Sequence, residues 1–175
     1  MTRTSLCAVA GLLLWSADPA LAQSLTDAQI AAIVVTANQV DVDAGRVAAA
    51  RSSSDAVKTF ANLMVTDHTA VNASATALAT RLHLTPADND TSQALKDGGA
   101  KNVAALEALS GKAFDKAYVD HEVAYHQTVL DALDKQLVPG ASNAELKALL
   151  VKVRPAFVAH LEHAKHLAAE LGGTR

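Results

Sequence analysis

The sequence has few of the residues that mark several common classes of protein. Its 175 residues include one cysteine, Cys7, one tryptophan, two tyrosines and three phenylalanines. A single cysteine excludes an intrachain disulfide framework and a zinc site built from cysteines. With 15 basic and 18 acidic residues, the formal net charge of −3 is not typical of a nucleic-acid-binding protein. No apolar run reaches the roughly 20 residues of a membrane-spanning helix.

The first 22 residues have the pattern of a secretory signal peptide. Arg3 supplies a positive charge, residues 6–15 form an apolar run, and Ala-Leu-Ala at 20–22 is a small-x-small cleavage pattern. We therefore expect cleavage near Ala22. The remaining residues, 23–175, would form one domain that is periplasmic or secreted and has no transmembrane segment.

This second part of the chain repeats apolar residues at the helical period and has no strand-like alternation. Long amphipathic helices are predicted from a cap at 24 or 26 to 51, from 55 to 83, from 112 to 137, and from a cap at 142 or 143 to 171. A weaker helical segment at 91–109 is interrupted by Gly98 and Gly99. The pattern predicts an all-α, antiparallel four-helix bundle with one short extra helix before the third long one.

Each long helix places a side chain that can bind a metal in the middle of its apolar face. These side chains are Asp41, His68, Glu122 with His126, and His160. Imidazole and carboxylate groups are the usual ligands of Zn, Cu, Mn and non-haem Fe. Because a buried carboxylate needs a cation or hydrogen-bond donors, these five residues are candidate metal ligands. The alternative is a metal-free polar core, in which the carboxylates accept hydrogen bonds from the histidines.

The expected heights of these residues along the helices conflict with a single site. Asp41 and His68 are about equally far from the first turn, so they should lie at one level. His126 comes about 13 residues before Pro139, whereas His160 comes about 20 after it, a mismatch of roughly 10 Å at 1.5 Å per residue. This difference argues against one tight site, unless a kink at Pro155 or an offset of the last helix reduces it.

Other motifs do not define a catalytic site, and nothing in the sequence favours an enzyme. His121 and His126 are five residues apart, whereas the zinc-protease helix motif requires a spacing of four. The chain contains no Glu-x-x-His, the motif that carboxylate di-iron sites use in helix bundles. A histidine-rich site therefore suits a single Zn or Cu ion better than two bridged irons. Asp67, Asp120 and Glu162 are predicted to lie on solvated faces or to form surface pairs.

Three segments of the sequence resemble the domain of unknown function 4142 family. They are FANLMVTDH at 60–68, LSGKAFDKAYVDHEVAYH at 109–126 and FVAHLEHAKHL at 157–167. The resemblance implies a secreted bacterial protein with a ferritin-like fold, and it implies no activity. The histidines of the family fall here on His68, His126 and His160, while its first helix often carries a glutamate where this chain has Asp41.

Two functions remain open from the sequence. The first is a periplasmic helix bundle that binds a divalent transition metal, Zn or Cu, between its helices. The second is a non-catalytic envelope or stress-related bundle with a metal-free polar core, which acts through a protein partner or as a homo-oligomer.

Overall fold

The structure, a computed structural model, describes residues 24–173, so the predicted signal peptide lies outside the described residues. Within this range the chain is helical and has no strand, which confirms the prediction of an all-α fold. The helices are α1 (Asp27–Arg51), α2 (Asp55–Arg81), α3 (Asp90–Glu107), α4 (Gly111–Ala132) and α5 (Ala144–Gly173). A π-helical turn, Leu133–Leu137, and one α-helical turn, Val138–Gly140, extend α4. None of the helices in this range combines the length and hydropathy that crossing a membrane requires.

Side-chain caps fix where four of the helices begin, and at α2 the Ser54 hydroxyl accepts a hydrogen bond from the Val57 amide at 3.4 Å. Thr26 and Gln29 form a reciprocal capping box at the start of α1, and Asn89 and Ser92 form another at the start of α3. At α5, Asn143 Oδ1 accepts hydrogen bonds from the first amides, at 2.9 and 3.1 Å. These bonds satisfy N–H groups that have no partner within their own helix. Thr26 and Asn143 are thus the caps among the alternatives that the sequence offered.

Helix α3 runs without interruption through Gly98 and Gly99, which the sequence indicated as a break. A Cβ atom added at Gly99 would lie only 2.8 Å from both γ-carbons of Val40 on α1, whereas one at Gly98 would meet nothing within 4 Å. The glycine at 99 therefore lets α3 approach α1 closely, and this packing offsets the low helix propensity of the pair.

We expect Gly99→Ala to destabilise the protein by about 1–3 kcal/mol, because the new methyl group would force Val40 or the whole of α3 to move. Gly98→Ala is the matched control. It should stabilise the protein by about 0.5–1 kcal/mol, because alanine is the better helix former and the site has room. Urea unfolding followed by circular dichroism measures both changes. Equal effects of the two substitutions would contradict the close approach of α3 and α1.

Buried apolar side chains form two separate clusters along α1, α2, α4 and α5. The first cluster includes Ile30, Leu78, Leu133 and Leu150, and the second includes Ala48, Phe60, Phe114 and Leu167. Helices α1 and α5 begin in the first cluster and end in the second. Helices α2 and α4 begin in the second cluster and end in the first. The middle of each of these helices therefore lies between the two clusters. Helix α3 packs mainly on α1.

Candidate metal centre

The five predicted site residues lie together in a buried layer between the two apolar clusters. Asp41, His68, Glu122, His126 and His160 are each at most 3% exposed. The ring centroids of the three histidines are 5.2 to 5.5 Å apart. One ring nitrogen from each lies within 4.8 Å of the other two. Two ligands of one zinc ion are at most about 4.2 Å apart, because each bond is near 2.1 Å. The upper limit of 4.8 Å on the separation of the three nitrogens exceeds this distance by only about 0.6 Å.

The mismatch in height that the sequence suggested for His160 does not occur, because the helices end at other residues than assumed. Helical structure before the last connection continues to Gly140, and α5 begins at Ala144. His126 is then 14 residues before Gly140 and His160 is 16 residues after Ala144, which is a difference of only about 3 Å. Pro155 lies inside α5, which continues past it to Gly173.

Asn38 on α1 fixes the orientation of His68. Its Nδ2 donates to the carbonyl oxygen of Val34 at 2.7 Å, and this bond turns Oδ1 towards His68. The Nδ1–H of His68 donates to that Oδ1 at 2.7 Å. In the neutral ring, Nε2 is then the nitrogen without a proton, as in metal-bound histidines whose opposite nitrogen is hydrogen-bonded. Asn38 was not among the residues predicted for the site, although its position three residues before Asp41, on the apolar face of α1, was an available signal.

His126 and His160 are held in the same way. The Nδ1–H of His126 donates to the backbone carbonyl of Glu122 at 3.1 Å, and the Nε2–H of His160 donates to Asp67 Oδ2 at 2.9 Å. Asp67, for which the sequence predicted a solvated face or a surface pair, forms such a pair, although its partner is a buried ring. The Asp67 side chain is 38% exposed, so this pair connects the buried layer to the surface.

The opposite ring nitrogens point into the layer. His68 Nε2, His126 Nε2 and His160 Nδ1 are buried and form no hydrogen bond with any residue from 24 to 173. Asp41 Oδ2 lies 2.9 Å from His68 Nε2 and 3.5 Å from His126 Nε2. The hydrogen bonds that His68 and His126 donate through Nδ1 favour the tautomers with the proton on Nδ1. In these tautomers, Nε2 of each ring presents a lone pair to a carboxylate oxygen of Asp41. Such a contact repels unless a cation is shared, either a proton on an imidazole or a metal ion.

The two buried carboxyl groups differ in their tendency to ionise. Burial acts to raise the pKa of Asp41, but the positive charge that His68 and His126 carry when protonated, together with the 2.9 Å contact to His68, outweighs it, and the pKa is lowered. For Glu122, burial and the negative charge of Asp41 together raise the pKa well above 4.5. The layer therefore contains one carboxylate, Asp41, and one carboxyl group that keeps its proton to much higher pH.

Glu122 and Asp41 lie at different edges of the His126 ring. The carboxyl Oε2 of Glu122 is 3.4 Å from Nδ1, the nitrogen that already bonds the backbone, whereas Asp41 is near Nε2. A second group of possible ligand atoms lies within 4.8 Å of one another, with one atom each from Asp41, Glu122 and His126. Asp41 is thus beside Nε2 of His68 and of His126, whereas Glu122 is near Nδ1 of His126 and also interacts with Asp41.

Aromatic side chains flank the histidine rings, and burial favours the neutral form of His160. Burial lowers the pKa of His160, as do the charges of His68 and His126, although the bond to Asp67 opposes this shift. Phe157 stacks on His68, with ring centroids 5.0 Å apart. The Tyr125 hydroxyl donates to the carbonyl oxygen of Ala37 at 2.8 Å, which ties α4 to α1 beside the site.

The other histidines on α4 and α5 lie outside this group. His121 is half-buried and stacks on Tyr125, with ring centroids 5.6 Å apart. His163 packs edge-on against Phe60 at 4.9 Å, and His166 is exposed. The structure therefore brings together only the histidines that the helical wheels placed on the apolar faces, and it separates them from their sequence neighbours.

Comparison with known proteins gives a family match and no closer relative. A family model described as "Domain of unknown function (DUF4142)" matches residues 15–167, a range that includes all five predicted site residues. No curated protein and no solved structure matches the chain. The match agrees with the resemblance that the three sequence segments indicated.

Proposed function

The chain belongs to the DUF4142 family, whose description assigns no activity, and we propose that it binds one divalent transition-metal ion, Zn or Cu, between α1, α2, α4 and α5. His68, His126 and His160 would be the ligands, with Asp41 completing the set. One observation carries this proposal. Each of the three buried rings is hydrogen-bonded through one nitrogen and keeps the other buried without a hydrogen bond, and one nitrogen of each ring lies within 4.8 Å of the other two.

The chemistry of these donors suits the proposed ions. Three neutral imidazoles and one carboxylate are four ligands, the number that zinc prefers, and imidazole binds both Zn and Cu well. A divalent ion would remove the repulsion between the inward lone pairs and the charge of Asp41. Glu122, the fifth predicted residue, would support His126 from the Nδ1 side rather than bind the ion. The low carboxylate content and the lack of Glu-x-x-His in the sequence make a di-iron centre a poor fit.

We further propose that the fold is a ferritin-like four-helix bundle located in the periplasm or secreted. The order of the two apolar clusters along the helices supports the bundle, since it makes α1 antiparallel to α2 and α4 antiparallel to α5. Helices α2 and α4 run in the same direction, and α3 lies in the connection between them. One such crossover distinguishes ferritin-like folds from simple up-down bundles. The composition of residues 1–22 supports the location.

Metal content of the purified protein tests the function. Wild-type protein loaded with Zn²⁺ and then dialysed should retain one equivalent. Asn38→Ala should lower the affinity by about 10–100-fold, because the His68 ring loses the acceptor that sets its tautomer. Asn62→Ala is the matched control, since exposed Asn62 makes the same kind of bond to the carbonyl four residues earlier, at 2.9 Å. Wild-type protein without bound metal, and with a melting temperature that neither Zn²⁺ nor Cu²⁺ changes, would refute the proposal.

The metal-free polar core is the competing proposal, and one distance favours it. The 2.9 Å contact between His68 Nε2 and Asp41 Oδ2 would become a buried ion pair if His68 took up a proton. The protein would then act through an envelope partner, with the layer serving only the fold. In that case Asn38→Ala would change the stability of the protein, and neither the wild type nor the variant would bind metal.

A further inference from the structure

A narrow apolar cavity lies beside the candidate metal centre. Its volume is about 110 Å³, and α1, α3, α4 with its π-helical turn, and α5 all contribute to its wall. Towards the surface, it reaches Thr91 and Thr128, which are exposed. The inner wall contains residues that also bound a space of about 10 Å³ against Asp41, His68 and His126; these residues are Ala37, Asn38, Val129 and Phe157. The cavity therefore extends from the surface to the side of the site.

Two of the three polar residues of the wall have their polar groups occupied elsewhere, and the third, Thr91, lies at the exposed end. Asn38 bonds His68 through Oδ1 and the Val34 carbonyl through Nδ2. The Thr128 hydroxyl donates to the carbonyl oxygen of Ala124 at 2.9 Å. A buried water needs two to four polar partners, and a charged solute needs more than that. Apolar cavities of about 150 Å³ stay dry and bind xenon or benzene, so the size and polarity here suit a smaller apolar molecule.

We infer that this cavity binds a small uncharged molecule, of the size of a dissolved gas, and holds it one side chain away from the metal ion. Phe157 forms the partition, because it lines the cavity and stacks on His68 with ring centroids 5.0 Å apart. Ions and polar solutes would instead reach the layer from the side of Asp67, the half-exposed partner of His160. Binding in the cavity is independent of the proposed function, whereas its nearness to a metal ion rests on that function.

Xenon is the probe for the cavity. In metal-free wild-type protein, we expect a saturable change in the ¹²⁹Xe chemical shift with xenon pressure. Ala132→Leu places a larger side chain in the wall, several residues from any proposed ligand, and should abolish that change. Ala124→Leu, on an exposed position of the same helix, is the matched control and should bind xenon as the wild type does. Val153→Phe fills the cavity from α5 and replaces Ala132→Leu if that variant does not fold.

The nearness to the ion is tested by loading the same proteins with metal. Bound Cu²⁺ should shorten the ¹²⁹Xe relaxation time in wild type and in Ala124→Leu, whereas diamagnetic Zn²⁺ should not. No xenon-dependent shift in wild type, or an equal shift in the filled variants, would overturn the inference even if the protein binds metal. Xenon binding in a protein that retains no metal would instead refute only the proposed function, and the inferred binding in the cavity would still hold. A Cu²⁺-loaded wild type with unchanged xenon relaxation would overturn the placement beside the ion.

Discussion

His126→Ala is expected to abolish retention of one equivalent of Zn²⁺ and to weaken Zn²⁺ binding on the order of 100-fold or more, beyond the effect of losing a supporting residue. The ring contributes one of three imidazoles, and Asp41 Oδ2 lies 3.5 Å from its inward nitrogen. At a free Zn²⁺ concentration of about 100 times Kd, wild type should gain about 2.7 kcal/mol of stability. For a chain of this size, that corresponds to a rise of about 5–10 °C in melting temperature, which the variant should lack.

His121→Ala is the matched control for this experiment. His121 is on the same helix and half-buried, but it stacks on Tyr125 outside the layer. It should keep both the bound equivalent and the Zn²⁺-dependent rise in melting temperature. Elemental analysis after dialysis gives the metal content, and circular dichroism without metal shows whether each variant is folded. Equal metal content and equal thermal shifts in the two variants would exclude His126 as a ligand.

The second large effect is expected for the pH dependence of stability in metal-free protein, and it depends on Glu122. Its folded-state pKa is raised well above 4.5 by burial and by the charge of Asp41. Above pH 4.5, the unfolded chain releases this proton and the folded chain keeps it. Stability should therefore fall as pH rises, by up to about 1.4 kcal/mol per pH unit, until the folded-state pKa is reached.

Glu122→Gln removes this slope, because the amide resembles the protonated carboxyl group and cannot ionise. His160 acts in the opposite direction, since its lowered pKa means that stability is lost as pH falls below about 6.5. Both proteins share that contribution, so the difference between them isolates Glu122. Urea unfolding at pH 5 and pH 7, with a chelator present, gives the change in stability between these pH values, and this change should differ between the two proteins by as much as about 2.7 kcal/mol. Glu107→Gln, at an exposed position of α3, should follow the wild type, and parallel profiles for Glu122→Gln and wild type would contradict a buried, protonated Glu122.

The faces of the helices could be predicted from the sequence, but the outer partners of the histidines could not. Apolar periodicity depends on a residue's own helix, so it placed Asp41, His126 and His160 inward. Asn38 and Asp67 act across the space between helices, on rings from α2 and α5, and such pairings depend on the rotation and height of neighbouring helices. Asp67 also lies at the edge of its helical face, where periodicity does not distinguish a solvated side chain from one that reaches a buried ring.

The positions of the helix ends are the second feature that could not be predicted from the sequence. The π-helical turn and the short turn after it carry helical structure through Pro139 to Gly140, whereas proline and glycine in sequence normally indicate an end. That extension brings His160 level with the other candidate ligands. In α3, the sequence could show that two glycines weaken a helix but not that α1 lies against one of them. In both places, contacts between helices decide what local propensity leaves open.

Because the domain has few aromatic residues, its intrinsic fluorescence has few sources. Trp15 is the only tryptophan and lies within residues 1–22, and the chain has only two tyrosines. Tyr118 is fully buried one helical turn before Glu122, and the Tyr125 ring is 6.2 Å from the His126 ring. Protein that lacks residues 1–22 contains no tryptophan. Apart from the weak emission of phenylalanine, its fluorescence therefore comes from Tyr118 and Tyr125, at the edge of the buried layer. The intrinsic fluorescence of the domain is thus a reporter of the site itself, with no label needed.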